Sequence, residues 1–159
     1  MEAVSEQELN ERVAVLRRLR SLLEMQRRKF REYLDILEKQ ESSIDNEDVA
    51  AISAYADLEQ DVVSGIANLQ KAIVPMAELC GRAVELPSAA GEKSVAEIQQ
   101  DLARLQGEVL ARNERNRELL RIHLVKIRGQ LEQFQNPYNG RRNVYASAAS
   151  TGALVEVEA

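Results

Sequence analysis

Histidine and cysteine, whose side chains bind zinc and act in nucleophilic catalysis, are rare in this chain. His123 is the single histidine and Cys80 the single cysteine, and the two fall in different predicted helices among aliphatic residues. A metal site needs several such ligands at suitable spacing. A Cys–His pair would also need an oxyanion hole, for which no glycine-rich or helix-start feature lies nearby. We therefore expect both residues to pack in the core, with no metal site.

Carboxylates are plentiful, but acid–base chemistry requires burial or mutual proximity to shift a pKa, and no pair is predicted to be sheltered. Glycines occur singly within helical patterns, at Gly65, Gly81, Gly107 and Gly129. No glycine-rich loop that could hold a phosphate is present. The sequence therefore predicts no catalytic residue, no cofactor and no enzymatic activity.

Basic residues are concentrated early in the chain. The segment 12–31 contains eight lysines and arginines and one acid, whereas the segment 35–61 contains nine acids and one lysine. The basic segment could contact phosphates, but its one aromatic residue, Phe30, belongs to an apolar row, and the net charge of the chain is −5. We expect the basic face to pair with the acidic second helix and no nucleic acid to bind. Binding to another acidic protein stays open.

Apolar residues recur at every seventh position over the first quarter of the chain. The row consists of Leu9, Leu16, Leu23, Phe30, Leu37 and Ile44. A helix of about 35 residues is roughly 50 Å long, too long to be buried inside a compact domain of this size. With 4% aromatic residues, the chain is predicted to be all-α, an elongated antiparallel helical hairpin or three-long-helix bundle that resembles a coiled coil. Its function would then come from surfaces that bind other chains.

Capping signals mark where the helices begin. The predicted helices span 5–43, 46–84 and 95–135. Ser5 and Glu8 form a capping box at the start of the first helix, and Ser94 and Glu97 repeat it ahead of the third. The loop before the third helix contains proline, glycine and small residues that interrupt the apolar period.

The second helix is predicted to start after a short turn and to contain a kink. Asp45 or Asn46 caps it, so the first two helices form an antiparallel hairpin. The apolar period continues on both sides of Pro75, which favours a kink near this proline over a helix end.

The three helices are predicted to form one domain over 1–135, followed by a flexible tail over 136–159. The tail lacks helical periodicity but contains Tyr138 and Tyr145, two of the four tyrosines of the chain. The N-terminus has no signal-peptide pattern, and no run of about 18 apolar residues occurs. We therefore expect a cytoplasmic protein without membrane insertion.

Polar residues interrupt the apolar stripe of the third helix. Arg112, Asn113 and Asn116 occupy positions where large aliphatic residues are expected. Two interpretations stay open: a polar layer that sets the register of the bundle, or weakened packing that leaves the second half of the helix, 119–134, partly uncovered for an incoming helix.

The chain resembles flagellar export chaperones of the FlgN family. The resemblance rests on Glu41-x-x-Ile44-Asp45-x-x-Asp48 at the hairpin turn, on Asn116-x-x-Leu119-Leu120 in the third helix, and on Tyr138-Asn139-Gly140 at the start of the tail. It covers most of the chain. The chain departs from the short enterobacterial pattern in its basic first helix, the proline in its second helix and its Val144-Tyr145 extension.

Members of that family are cytoplasmic and non-enzymatic. They hold unassembled hook-filament junction proteins, which are hook-associated flagellar proteins, and deliver them to the flagellar type III export gate and its ATPase components. The resemblance implies that the third helix binds a terminal helix of the cargo. The implied cargo contacts are Asn116, Leu119, Leu120, Ile127, Leu131 and Phe134. It also implies that a tail tyrosine contacts the export gate, with Tyr138 the better match and Tyr145 the second.

A second interpretation is a structural or adaptor coiled-coil protein of a secretion or flagellar apparatus. The same heptads would then bring identical chains together, for example as a homodimer. Oligomeric state separates the two hypotheses, because a chaperone forms a defined complex with one secreted filament protein, whereas a self-associating coiled coil is indifferent to such cargo.

Overall fold

The fold of the chain is all-α, as its sequence predicts. The structure, a computed structural model, describes residues 5–81 and 91–135. Within these ranges it contains three helices and no strand; they are α1 (Glu6–Asp45), α2 (Val49–Cys80) and α3 (Val95–Gln135). The predicted flexible tail, with Tyr138 and Tyr145, lies outside the described residues.

Both predicted capping boxes are confirmed. The Ser5 hydroxyl accepts a hydrogen bond from the Glu8 amide at 3.2 Å, and the Glu8 carboxylate accepts one from the Ser5 amide at 3.1 Å. Ser94 and Glu97 make the same reciprocal pair at 3.2 and 2.8 Å. These bonds satisfy amide groups that have no partner within the helix.

The turn between α1 and α2 lies later than predicted. α1 continues to Asp45, because the Ser43 hydroxyl donates to the Lys39 carbonyl at 2.8 Å and so stays within the helix. Neither Asp45 nor Asn46 caps α2. Asp48 does, since its carboxylate accepts from the Ala51 amide at 3.0 Å.

α2 continues through Pro75 as a helix, as the uninterrupted apolar period predicts. It ends at Cys80, four residues before the predicted end. Gly81 follows with a φ of 55°, a backbone conformation that a side chain disfavours. The Gly81 amide donates to the Ala77 and Glu78 carbonyls and closes the last turn of the helix.

Hydrogen-bonded pairs give the directions of the helices. α2 is antiparallel to α1, because Gln26 bonds Gln70 and Tyr33 bonds Glu59, so residue numbers rise on one helix as they fall on the other. α3 is parallel to α1, because its residues pair with α1 in ascending order. These pairs are Arg27 with Asp101, Tyr33 with Asn113, and Leu37 with Asn116.

Two seven-residue rows of α1 form the centre of the core. The predicted row is buried at Leu23, Phe30, Leu37 and Ile44. A second row, Leu19, Gln26, Tyr33 and Gln40, alternates with it at steps of three and four residues and is also buried. Two glutamines therefore occupy seam positions, and both are hydrogen bonded across the helix interface.

The predicted apolar row is not buried along its whole length. Leu9 is 56% exposed, and Leu16 is half-buried. Arg20 of α1 pairs with Glu92, just ahead of α3. Because α3 is parallel to α1, the first turns of α1 lie ahead of the first turn of α3, which explains their exposure.

The chain divides by its internal contacts into one unit that ends at Leu120 and a second that begins at Arg121. α3 contributes residues to both units. Within 5–81 and 91–135, no helix has the length and apolarity needed to cross a membrane.

Candidate functional site

The first half of α3 packs in the core. Ile98, Leu102, Leu105 and Val109 follow one another at three- and four-residue steps, and all are buried against α1 and α2 residues. This spacing presents one face of the helix to its neighbours. The interior of the first unit therefore fixes the orientation of α3 about its own axis.

A buried polar layer follows at the predicted interruption. Asn116 is 2% exposed, and its amide donates to the Leu37 carbonyl at 2.9 Å and to the Gln40 side chain at 3.2 Å. Its Oδ1 atom has no hydrogen-bond partner among the described residues. Asn116, an implied cargo contact, therefore lies inside the bundle and sets the register of α3 against α1.

Glu59 connects α2 to this layer. Its carboxylate accepts from the Tyr33 hydroxyl at 2.8 Å and from the Gln40 amide at 3.2 Å. The Tyr33 hydroxyl in turn accepts from the Asn113 amide at 2.8 Å. Burial, more than any neighbour, raises the pKa of Tyr33, so its hydroxyl remains a donor at neutral pH. All three helices are tied together by this network.

Arg112 meets a carboxylate of α1 in place of the expected aliphatic contact. One Glu41 oxygen lies 2.8 Å from the Arg115 guanidinium, and the other lies 3.9 Å from that of Arg112. The Glu41 side chain is 19% exposed, so it is largely shielded from solvent. The arginine in the stripe therefore belongs to an ion-paired edge between α1 and α3.

The burial of α3 decreases after this layer. Leu119 and Leu120, two further implied cargo contacts, are half-buried. They belong to the first unit, together with the polar layer. Their side chains are therefore partly accessible to solvent.

The second unit presents large apolar side chains to solvent. Leu124 is 53% exposed, Ile127 38%, Leu131 51% and Phe134 83%. Their steps of three, four and three residues place them on one face of the helix, and we call this set the distal stripe. Three of its members are implied cargo contacts. Leu124 is not among them, although its spacing from the other three in the sequence already predicts that it lies on the same face of α3.

Two more exposed aliphatic residues lie off the distal stripe. Ile122 is 54% exposed and Val125 is 66% exposed. At about 100° per residue, both project away from the face that Leu124 and Leu131 share. Substitutions at these two positions therefore test whether exposure alone, without a place on the distal stripe, affects binding.

The basic segment of α1 pairs differently from the expectation. Arg20 contacts Glu92 at 2.7 Å, and Arg27 contacts Glu24 of its own helix and Asp101 of α3 at 2.7 and 3.0 Å. No ion pair among the described residues joins this segment to an acid of α2. The expectation of pairing with the second helix was wrong, because the glutamines and the tyrosine of α1 take the positions that face α2 acids and amides.

Asp101 is the acidic centre of the α1–α3 interface. Its carboxylate accepts from both Lys93 and Arg27. These hydrogen bonds, the one from Lys93 first, hold the pKa of Asp101 below its ordinary value. The carboxylate therefore stays ionised and paired at every pH near neutrality.

The residues considered first for chemistry do not assemble into a reactive site. Cys80 is half-buried and packs against the core, and burial raises the pKa of its thiol, which keeps it protonated and less nucleophilic. His123 is half-buried on α3. In residues 5–81 and 91–135, no group of three histidines, cysteines or carboxylates is placed to hold a metal ion.

Comparisons with known proteins identify a similar bacterial protein. No protein-family model matches the chain, and no solved structure is similar to it. A protein of Treponema pallidum (strain Nichols), described as uncharacterized, is 39% identical over 132 residues, which cover 83% of this chain and 82% of the Treponema protein. The chain belongs to the family of this Treponema protein.

Proposed function

We propose that this protein is a cytoplasmic export chaperone that binds unassembled flagellar hook-filament junction proteins. It prevents their premature assembly and delivers them to the type III export gate. The observation that carries this proposal is the distal stripe, in which Leu124, Ile127, Leu131 and Phe134 expose 38 to 83% of their surface on one face of a helix. The resemblance to the FlgN family supplies the cargo and the gate.

An exposed apolar helix face suits a partner helix. Contiguous apolar side chains on a surface mark interaction sites, because water contact with them is unfavourable. Steps of three and four residues match the anchors with which amphipathic helices bind one another. Filament subunits whose terminal helices form coiled coils after assembly expose such a face beforehand, and covering it would keep them apart.

The polar layer supports the same mechanism. Asn116 and Asn113 bond α3 to α1 within the first unit, so the first half of α3 is anchored independently of the distal stripe. A partner could therefore bind the stripe without competing for the core contacts of Ile98 and Val109. Cargo release would leave the bundle folded.

Co-purification of paired variants tests the proposal. The full chain would be co-expressed with each hook-filament junction protein of its native organism, and complexes would be detected by size-exclusion chromatography. Leu131→Asp should abolish capture, because it places a charge on the stripe. Val125→Asp introduces the same charge at an exposed aliphatic position off the stripe and should retain capture. Circular dichroism should show equal helix content in both variants.

Two results would contradict the proposal. If no hook-filament junction protein co-purifies with the wild-type chain, the assigned cargo is wrong. If Leu131→Asp and Val125→Asp weaken capture equally, the distal stripe is not the binding face.

The distal stripe also favours a second candidate function, a self-associating structural or adaptor coiled coil of the flagellar or secretion apparatus. Its steps of three and four residues are those of a coiled-coil seam. Sedimentation of the full chain alone separates the two. A stable homodimer that dissociates in Leu131→Asp and ignores filament proteins would favour this candidate over the chaperone.

A further inference from the structure

The distal stripe has charged neighbours of mainly one sign. Residues 121–134 contain three bases, Arg121, Lys126 and Arg128, and one acid, Glu132, which gives a net charge of +2 with His123 neutral. All four charged side chains are exposed. The chain as a whole has a net charge of −5, so this segment is a positive region on an acidic protein.

We infer that the distal stripe selects an amphipathic helix of another protein whose apolar face is bordered by aspartate or glutamate. The inference rests on the proposed function and adds the chemistry of the partner. The apolar side chains provide attraction without selecting a sign of charge, whereas the bordering bases favour acidic neighbours and disfavour basic ones. The partner is thus defined by two properties, an apolar stripe about three turns long, to match the distal stripe, and acidic flanks.

Charge also decides between a foreign helix and a second copy of this chain. A second copy has the same net charge of +2 in this segment, so pairing stripe to stripe brings two positive regions together. A helix with acidic flanks brings opposite charges together over the same contact. The selection follows from the summed charge of the segment, whatever contacts each base makes within the chain.

Two designed peptides would test this inference with the full-length protein. Both are 21-residue helices with the same leucine stripe, and they differ in having glutamate or lysine at every flanking position. Fluorescence anisotropy would measure the binding of each. At low salt we expect the glutamate peptide to bind about tenfold more tightly, since three exposed ion pairs are each worth a factor of roughly two. The ratio should fall towards one at high salt.

The net charge of the whole chain makes the expected result specific. Non-specific attraction to an acidic protein would favour the lysine peptide, so a preference for the glutamate peptide must arise locally. Arg128→Glu should lower the preference about fourfold. The triple variant Arg121→Glu, Lys126→Glu and Arg128→Glu should reverse it, while circular dichroism shows unchanged helix content. Leu131→Asp should abolish binding of both peptides.

Three outcomes would overturn the inference. Equal binding of the two peptides, or tighter binding of the lysine peptide, would show that the bases do not select. Absence of binding by either peptide would exclude a helix docked on the stripe. A homodimer that dissociates in the Leu131→Asp variant would show that the distal stripe binds a second copy of this chain. The cargo co-purification assay reports separately on the proposed function, because capture of a filament protein does not depend on the peptides.

Discussion

At the scale of single residues, polar side chains inside the bundle specify how its helices meet. Asn116 is almost fully buried, and its side-chain amide donates to a backbone carbonyl of α1. This bond can form in one register of α3 against α1. Leaving a buried polar atom without a partner costs on the order of 1–3 kcal/mol, so shifted registers that break these bonds are disfavoured. The polar interruption of α3 therefore has a structural role in the first unit, whatever the distal stripe binds.

The Tyr33 hydroxyl is the residue at which this network can be tested. Tyr33→Phe removes the donor to Glu59 and the acceptor for Asn113 and should lower the free energy of unfolding by about 1–2 kcal/mol. Tyr55→Phe is the matched control, because Tyr55 is half-buried against the same core and, among the described residues, its hydroxyl makes no hydrogen bond comparable to those of Tyr33. That change should cost under about 0.5 kcal/mol. Urea denaturation measures both, and equal losses would argue against a role for the network.

At the scale of elements, local signals predicted the starts of α1 and α3 more accurately than the turn between α1 and α2 or the end of α2. Ser5 and Ser94 start α1 and α3 through side-chain bonds to residues three positions on, which the sequence displays directly. α1 ends two residues later than predicted. The Ser43 hydroxyl bonds a carbonyl of its own helix, and Ile44 is 1% exposed, so packing extends the helix. α2 tolerates Pro75 because its apolar face continues past it.

A glycine inside α3 and a glycine that follows α2 should respond in opposite directions to replacement by alanine. Gly107 lies within α3 with open space around its Cβ position, so Gly107→Ala should stabilise the protein by about 0.5–1 kcal/mol. Gly81 also has open space but a φ of 55°, so Gly81→Ala should destabilise it by roughly 1–2 kcal/mol. Thermal melts would show shifts of about 3 °C per kcal/mol. Melting temperatures that move in the same direction would contradict the helix end at Cys80.

At the scale of the whole molecule, the chain combines an anchored bundle with a segment that exposes apolar side chains. Core residues from all three helices meet within the first unit, whereas the large apolar residues of 121–134 are exposed. The proposed delivery to the export gate uses a third region, the tail, which lies outside the described residues. Changes in the distal stripe are therefore expected to impair cargo capture, and changes in the tail to impair delivery while capture is retained.

Tyr138→Ala tests the delivery step. We expect this variant to capture cargo normally but to reduce swimming motility, because the resemblance assigns the gate contact to Tyr138. Tyr145→Ala is the matched comparison and should leave motility unchanged. A loss of motility in Tyr145→Ala alone would move the contact to Tyr145. Normal motility in both variants would remove the tail tyrosines from the proposed mechanism.

The sequence by itself determined the all-α class, the three helices and the apolar face of α3. Each of these depends on local bonds or on a repeat of three to four residues, so the order of side chains along the chain is sufficient information. The distal stripe could be predicted for the same reason, and Leu124 belonged in it on spacing alone.

The tertiary structure decided which positions of those faces are covered. Gln26 and Gln40 lie in the core because partners on α2 and α3 bond them, and a polar residue gives no local sign of such partners. Arg27 of α1 pairs with Asp101 of α3, and Arg20 pairs with Glu92 just ahead of α3, rather than with acids of α2, since ion pairing depends on which helices are neighbours. Burial of Leu23 and exposure of Leu9, fourteen positions apart in one row, likewise follow from where the facing helices begin, which is a property of the assembled chain.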